Sequence, residues 1–251
     1  MSRTVTSSMI VDVPEPTNVT LAVALAHDTG LTITEALTMS IDGVLVEPHE
    51  VVDAAGTRFH TLDVGAGTLR VDYKGWAEGV AQRPVVTELD AVVYQRPSRY
   101  CESDVLAQFA AAEFGGIRGA EAAEAVRAWV AGHLSYWPGS SVVTDGATHT
   151  LLARAGVCRD YCHVTIALLR ALDLPSRMVG VYAPDLKPMD FHAVVEVAID
   201  GEWHIIDPTG LAPVETVLRI ATGRDAADTA FLTTTSGIVT LRDLTVDAQL
   251  S

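Results

Sequence analysis

Cysteine is scarce in this chain, with three residues among 251, Cys101, Cys158 and Cys162. So small and odd a number argues against a disulfide scaffold and for reduced thiols, of which at least one can be kept for reactivity. Cations are short as well: 17 Lys and Arg stand against 32 Asp and Glu, for a formal net charge of −15. No basic stretch is present to neutralise phosphates, which disfavours a nucleic-acid partner and an anionic membrane surface. No run approaches the roughly 18 apolar residues of a membrane span. The opening MSRTVTSSMIVDVPEP lacks the basic start, apolar stretch and small-residue cleavage site of a secretory signal, so the expected location is the cytoplasm. Internal repeats and low-complexity segments are also missing. With 49% hydrophobic residues the chain is long and apolar enough for a real core, and disorder is a poor reading.

What is there falls into two parts. Up to about residue 95, short alternating runs rich in Val, Thr and Leu, such as RTVTSSMIVDV and TLRVDYKG, are separated by Gly, Pro and Asp. That spacing predicts a small β-sandwich-like domain over residues 1–95. After Gln95-Arg96-Pro97-Ser98 the sequence becomes Ala-rich and helix-periodic. Asp104 is positioned to cap a helix through VLAQFAAAEF, and a second helix from Gly119 carries Ala122, Val126, Trp129, Val130 and His133 on one stripe. Tyr136-Trp137-Pro138-Gly139-Ser140 breaks the pattern. A short helix from Ala147 is stopped by Gly156, and an apolar helix follows from Cys158 to about Leu172. Strands are expected in SRMVGVYAP, FHAVVEVAI, EWHIID and near the C-terminus, interrupted by a helix around Val214 to Thr222. The fold class is α+β, with residues 96–251 forming the second domain.

Cys158 opens its helix, where unpaired backbone N–H groups and the helix dipole favour an anion and so the nucleophilic thiolate. A base and its orienting group lie in DFHAVVEVAIDGEWHIIDPTG. Asp200-Gly201 is the signature of a two-residue hairpin turn, which pairs Ile199 with Glu202. Followed back along the strands, that register sets His192 opposite residue 209, with Asp207 two residues away on the same face. A shift of one residue would have parted them. The expected roles are Cys158 as nucleophile, His192 as general base and then acid, and Asp207 as the group that orients the imidazole. The backbone N–H of Cys158 is the first oxyanion donor expected, and the indole N–H of Trp137 is the candidate second donor lining the cleft.

The stretches AGVCRDYCHVTIALLRALDLPSRMVGVY and MDFHAVVEVAIDGEWHIIDPTG resemble the core of the bacterial transglutaminase-like superfamily, which has a G-V-C-R-D helix start, H-A on one strand and D-x-T after the next. The resemblance covers roughly residues 94 to 235. It implies a papain-like, transglutaminase-like core, with a nucleophile helix packed on an antiparallel sheet, and catalytic roles at Cys158, His192 and Asp207. Val194 and Pro208 depart from the residues frequent in relatives, and both bear on the shape of the substrate cleft.

Other polar residues are read as structural. Asp160 caps the first turn, Arg159 seeks a carboxylate, and Arg224-Asp225 caps a helix end or braces the cleft. Cys101 and Cys162 are read as inert, and a Cys158–Cys162 disulfide is not expected in a reducing compartment. A zinc site from His192, His204 and Asp207 is set aside, because His204 has the opposite strand parity to Asp207. Neither metal nor cofactor is expected. The activity expected is thiol-dependent hydrolysis of amide or peptide bonds through an acyl-enzyme, by a transglutaminase-like cysteine protease or amidase acting on a protein or peptide. The alternatives are acyl transfer from a Gln carboxamide to an amine, and a non-catalytic peptide-binding module. An acidic β domain beside a catalytic one permits a homodimer.

Overall fold

The computed structural model describes residues 1–250 as three antiparallel sheets, a parallel pair and six helices, numbered below in chain order. The first sheet runs β15-β1-β7-β3-β4, built from β1 (Ser2–Val13), β3 (Leu31–Ile41), β4 (Val44–Val46), β7 (Gly67–Gly79) and β15 (Thr240–Leu250). The second runs β14-β2-β6-β5, built from β2 (Thr17–Leu21), β5 (His49–Val52), β6 (Arg58–Val64) and β14 (Leu232–Thr234). Residues of β1 are buried in strict alternation, and Val5, Met9 and Val11 share one apolar cluster with Leu21 and Val64 of the second sheet. Alternating β-branched sequence, one face dry and one wet, produces this arrangement.

The third sheet, β12-β11-β10-β13, comprises β10 (Ser176–Tyr182), β11 (His192–Ile199), β12 (Glu202–Ile206) and β13 (Leu218–Gly223). Against it lies α5 (Cys158–Ala171), in which every residue from Asp160 to Arg170 is buried. A helix dry on all sides needs partners all round. Its core cluster draws on β10 and β11 through Met178, Val195 and Val197, and on α2 (Ala107–Phe114) and α3 (Gly119–His133). The remaining helices are α1 (Glu88–Val93), α4 (Ala147–Ala153) and α6 (Ala226–Thr229), and β8 (Ser135–Tyr136) pairs in parallel with β9 (Ala155–Gly156).

Three expectations change. Residues 214–222 hold no helix; β13 occupies 218–223 and all six of its residues are buried. A strand covered on both faces loses the period-two alternation that would have announced it. Asp104 caps nothing, since α2 begins later, after Leu106, without a side-chain cap. The division at residue 95/96 does not hold for the last segment. β14 pairs with β2 and β15 with β1, so residues 232–250 complete the N-terminal sheets, burying Val246 and Ala248 in their core.

The two halves are also bolted together by polar contacts. Glu196 on β11, fully buried, receives Arg177 Nε at 2.7 Å and Arg219 Nε at 2.8 Å. Arg219 reaches on to Asp28 of the N-terminal half at 3.1 Å. Tyr182 donates its hydroxyl to the Val23 carbonyl at 2.8 Å.

Candidate active site

The start of α5 is fixed from below. Asp160, fully buried, accepts the Val157 N–H at 2.8 Å and the Ser141 hydroxyl at 2.6 Å, and pairs with Arg159 at 2.9 Å. This ties the N-terminal backbone to the third helical residue, as a capping carboxylate does. The fit leaves no room for a side chain at 156: a Cβ on Gly156 would stand 2.6 Å from the Asp160 Cβ. Cys158 follows at the first helical position, half-buried with a free thiol.

The candidate base, His192, lies on the third sheet. Ile199 pairs with Glu202, and the register continues unbroken to Val195 opposite Ile206. Asp200 and Gly201 have φ of 51° and 83°, the left-handed pair that a tight hairpin turn of this type requires. His192 and Asp207 thereby meet, with Nε2 at 3.1 Å from Oδ2. Asp207 is held in turn: its Oδ1 accepts the backbone N–H of Thr209 at 2.8 Å and its hydroxyl at 2.7 Å, and its Oδ2 accepts the Ala212 N–H at 2.9 Å. Burial pushes this carboxyl up, but the His192 contact and these donors outweigh it and hold it below the usual range. An ionised carboxylate only accepts, so Nε2 carries the hydrogen and the Nδ1 side is left free for the neighbouring Cys158. Burial pushes the imidazole down, and the Asp207 and Cys158 contacts overcome it, raising it to about 9.

Trp137, the candidate second donor, is not among the residues that line the cavity at Cys158 and His192. Its ring is 67% exposed and its backbone N–H bonds to the Gly156 carbonyl at 3.0 Å. Adjacent residues on an extended segment point to opposite sides, and it is the Tyr136 phenol that lies beside Cys158. Burial, and then the charge at Cys158, push this phenol up to about 12. Sequence alone missed Tyr136, because a two-residue strand leaves no periodic trace; its one signal was a place in the loop before the nucleophile helix.

The flanking residues divide as their types suggest. Cys101 and Cys162 are fully buried, and burial pushes both thiols well up. His163 is buried against Tyr100, and burial pushes it down to about 4. Asp225 both caps α6, through the Ala227 N–H at 2.9 Å, and braces the cleft, through the Tyr100 N–H at 2.9 Å. His204 pairs with Val197 on the opposite parity to Asp207. Among the described residues no three His, Cys, Asp or Glu side chains converge as metal ligands. In the same set no helix is long and apolar enough to cross a membrane.

A thiol at a helix start, facing an antiparallel sheet that carries a hydrogen-bonded His–Asp pair, defines the papain-like α+β class. Residues 109–208 match the family model of the transglutaminase-like superfamily. The crystal structure of a proposed cysteine protease from Cytophaga hutchinsonii superposes with a TM-score of 0.90 and 32% identity, over 99% of this chain and 90% of that one. An uncharacterized protein of Mycobacterium leprae is 30% identical over 118 residues, which is 44% of this chain and 42% of that protein. The chain belongs to the transglutaminase-like superfamily.

Proposed function

We propose that the protein is a thiol hydrolase of amide or peptide bonds, working through Cys158, His192 and Asp207. The observation that carries this reading is the His192 ring, hydrogen-bonded through Nε2 to Asp207 and lining one cavity together with Cys158. With the Cys158 proton held on His192 Nδ1, the sulfur attacks the scissile carbonyl carbon. The carbonyl oxygen becomes an oxyanion at the Cys158 N–H, with the neighbouring Tyr136 hydroxyl as the second donor. His192 returns the proton to the leaving nitrogen, the C–N bond breaks, and a thioester remains. Water, deprotonated by His192, attacks that thioester and frees the acid, and the sulfur recovers its proton. Asp207 fixes the tautomer and supports the imidazolium throughout.

Hydrolysis is favoured over transfer to an amine because water is always present, whereas aminolysis needs an organised second site. The likeness to the Cytophaga hutchinsonii protein, described as a proposed cysteine protease, supports the same reading. The test is cleavage of a peptide library by wild type and Cys158→Ala side by side, with a labelled amine in a parallel reaction. Products from wild type alone, with no amine incorporated, agree with the proposal; a signal surviving in Cys158→Ala refutes it. Stable incorporation of the amine would make the activity acyl transfer.

A further inference from the structure

A cavity of about 570 Å³ opens from Cys158 and His192 and is walled by both halves of the molecule. That is the size of a site for a small organic group rather than a groove for a bare backbone. Its lining includes residues with little or no side chain, Gly180 and Ala193 among them, cross-strand partners on β10 and β11, with Ala230 after α6. Phe191, Ile220 and Phe231 form apolar walls. The residues that line it include no Asp or Glu, although acids outnumber bases 32 to 17 in the chain. Its two arginines lie near the nucleophile and the mouth: Arg159 is already paired with Asp160, and Arg99 is exposed beside the Tyr100 ring. A cationic group held against these walls would lose its water with no carboxylate among the lining residues, the neighbouring acid being Asp190 beside the His192 end.

We infer that this cavity takes the acyl side of the substrate, and that the acyl group is large, apolar and uncharged. The inference rests on the thiol reading above, since the cavity matters to chemistry only if Cys158 is the attacking group. An aromatic or branched aliphatic residue on the carbonyl side of the scissile bond fits the walls, and a lysine or arginine there does not. Gly180 is the lining position where added volume tests the fit. A Cβ built on it would meet nothing closer than the Thr229 carbonyl oxygen at 3.8 Å and the Ala221 carbonyl oxygen at 4.0 Å, so a larger side chain fills the space without a backbone clash.

Chloromethyl ketones test this, because the sulfur displaces chloride at the methylene carbon while the ketone substituent samples the acyl position. The rate of Cys158 alkylation, read by mass spectrometry and divided by the rate with glutathione, is compared for chloroacetone, a phenylethyl analogue and an aminoethyl analogue. The phenylethyl ketone is expected to react about tenfold or more faster than chloroacetone, and the aminoethyl ketone no faster than chloroacetone. Gly180→Leu, or Ala230→Leu from the loop side, is expected to collapse that preference. Equal normalised rates, a preference for the ammonium compound, or a preference surviving both substitutions would overturn the inference while leaving the thiol reading intact. Failure of Cys158 to react even with iodoacetamide, while a free thiol standard does, would overturn both.

Discussion

The Tyr136 phenol lies beside Cys158 at the start of α5, close enough for the two groups to influence each other's ionisation. A substrate oxygen arriving at the Cys158 N–H would find the neighbouring phenol as a second donor. Tyr136→Phe is therefore expected to lower kcat about 100-fold with little change in KM, whereas Trp137→Phe stays within about twofold of wild type, as exposed substitutions usually do. Steady-state kinetics on one cleaved peptide checks both; equal losses in the two variants would remove Tyr136 from the mechanism.

His192 stands raised to about 9 and Asp207 lowered. Acylation needs the imidazolium to protonate the leaving nitrogen, so kcat/KM is expected to fall as pH rises through about 9. Asp207→Asn removes the largest influence that raises the ring, so the alkaline limb moves down in pH and the rate drops about a thousandfold. A pH–rate profile of both proteins decides this, and an unmoved limb would contradict it.

The same shifts set the pH dependence of stability. The raised imidazole contributes stability that is complete below its ordinary value of 6.5 and is lost as pH rises through about 9. The depressed Asp207 contributes stability present above its ordinary value of 3.8 and lost as pH falls through its lowered one. The Tm of His192→Ala measured across pH is expected to lack the alkaline decline that wild type shows.

Glu196 lies between Arg177 and Arg219 with no exposure. Glu196→Gln leaves two buried guanidinium groups without their shared counter-charge, at a cost of about 3–5 kcal/mol. Thermal unfolding is expected to shift down by roughly 6–20 °C for a chain of this size. Because Arg219 also holds Asp28, protease digestion of the variant is expected to begin at the junction of the two halves.

At the start of α5, Gly156→Ala forces a Cβ to within 2.6 Å of the Asp160 Cβ. The helix start must then shift, and Cys158 moves with it. Iodoacetamide labelling of Cys158 is expected to slow several-fold even where circular dichroism reports a folded protein.

Much of this site was written in local sequence. Asp200-Gly201 fixes the hairpin, and from it a count of residues brings Asp207 to His192. Helix α5 announces itself by the stop at Gly156 and an apolar run, and Asp160 caps it as its type suggests. What stayed hidden depends on partners distant in sequence. Leu218–Gly223 is a strand because a sheet and a helix cover both its faces, and Tyr136 lies beside Cys158 because β8 lies along β9. The return of Thr240–Leu250 to β1 depends on pairing across almost the whole chain, which no short window can contain.

That return carries a consequence for biosynthesis. On the ribosome β1 can zip to β7 early, yet its other flank stays bare until residues 240–250 have emerged. For most of translation a twelve-residue strand offers open amides and carbonyls to any neighbouring nascent chain. Co-translational handling of that flank, more than the finished thiol site, would then govern how much active protein a cell obtains.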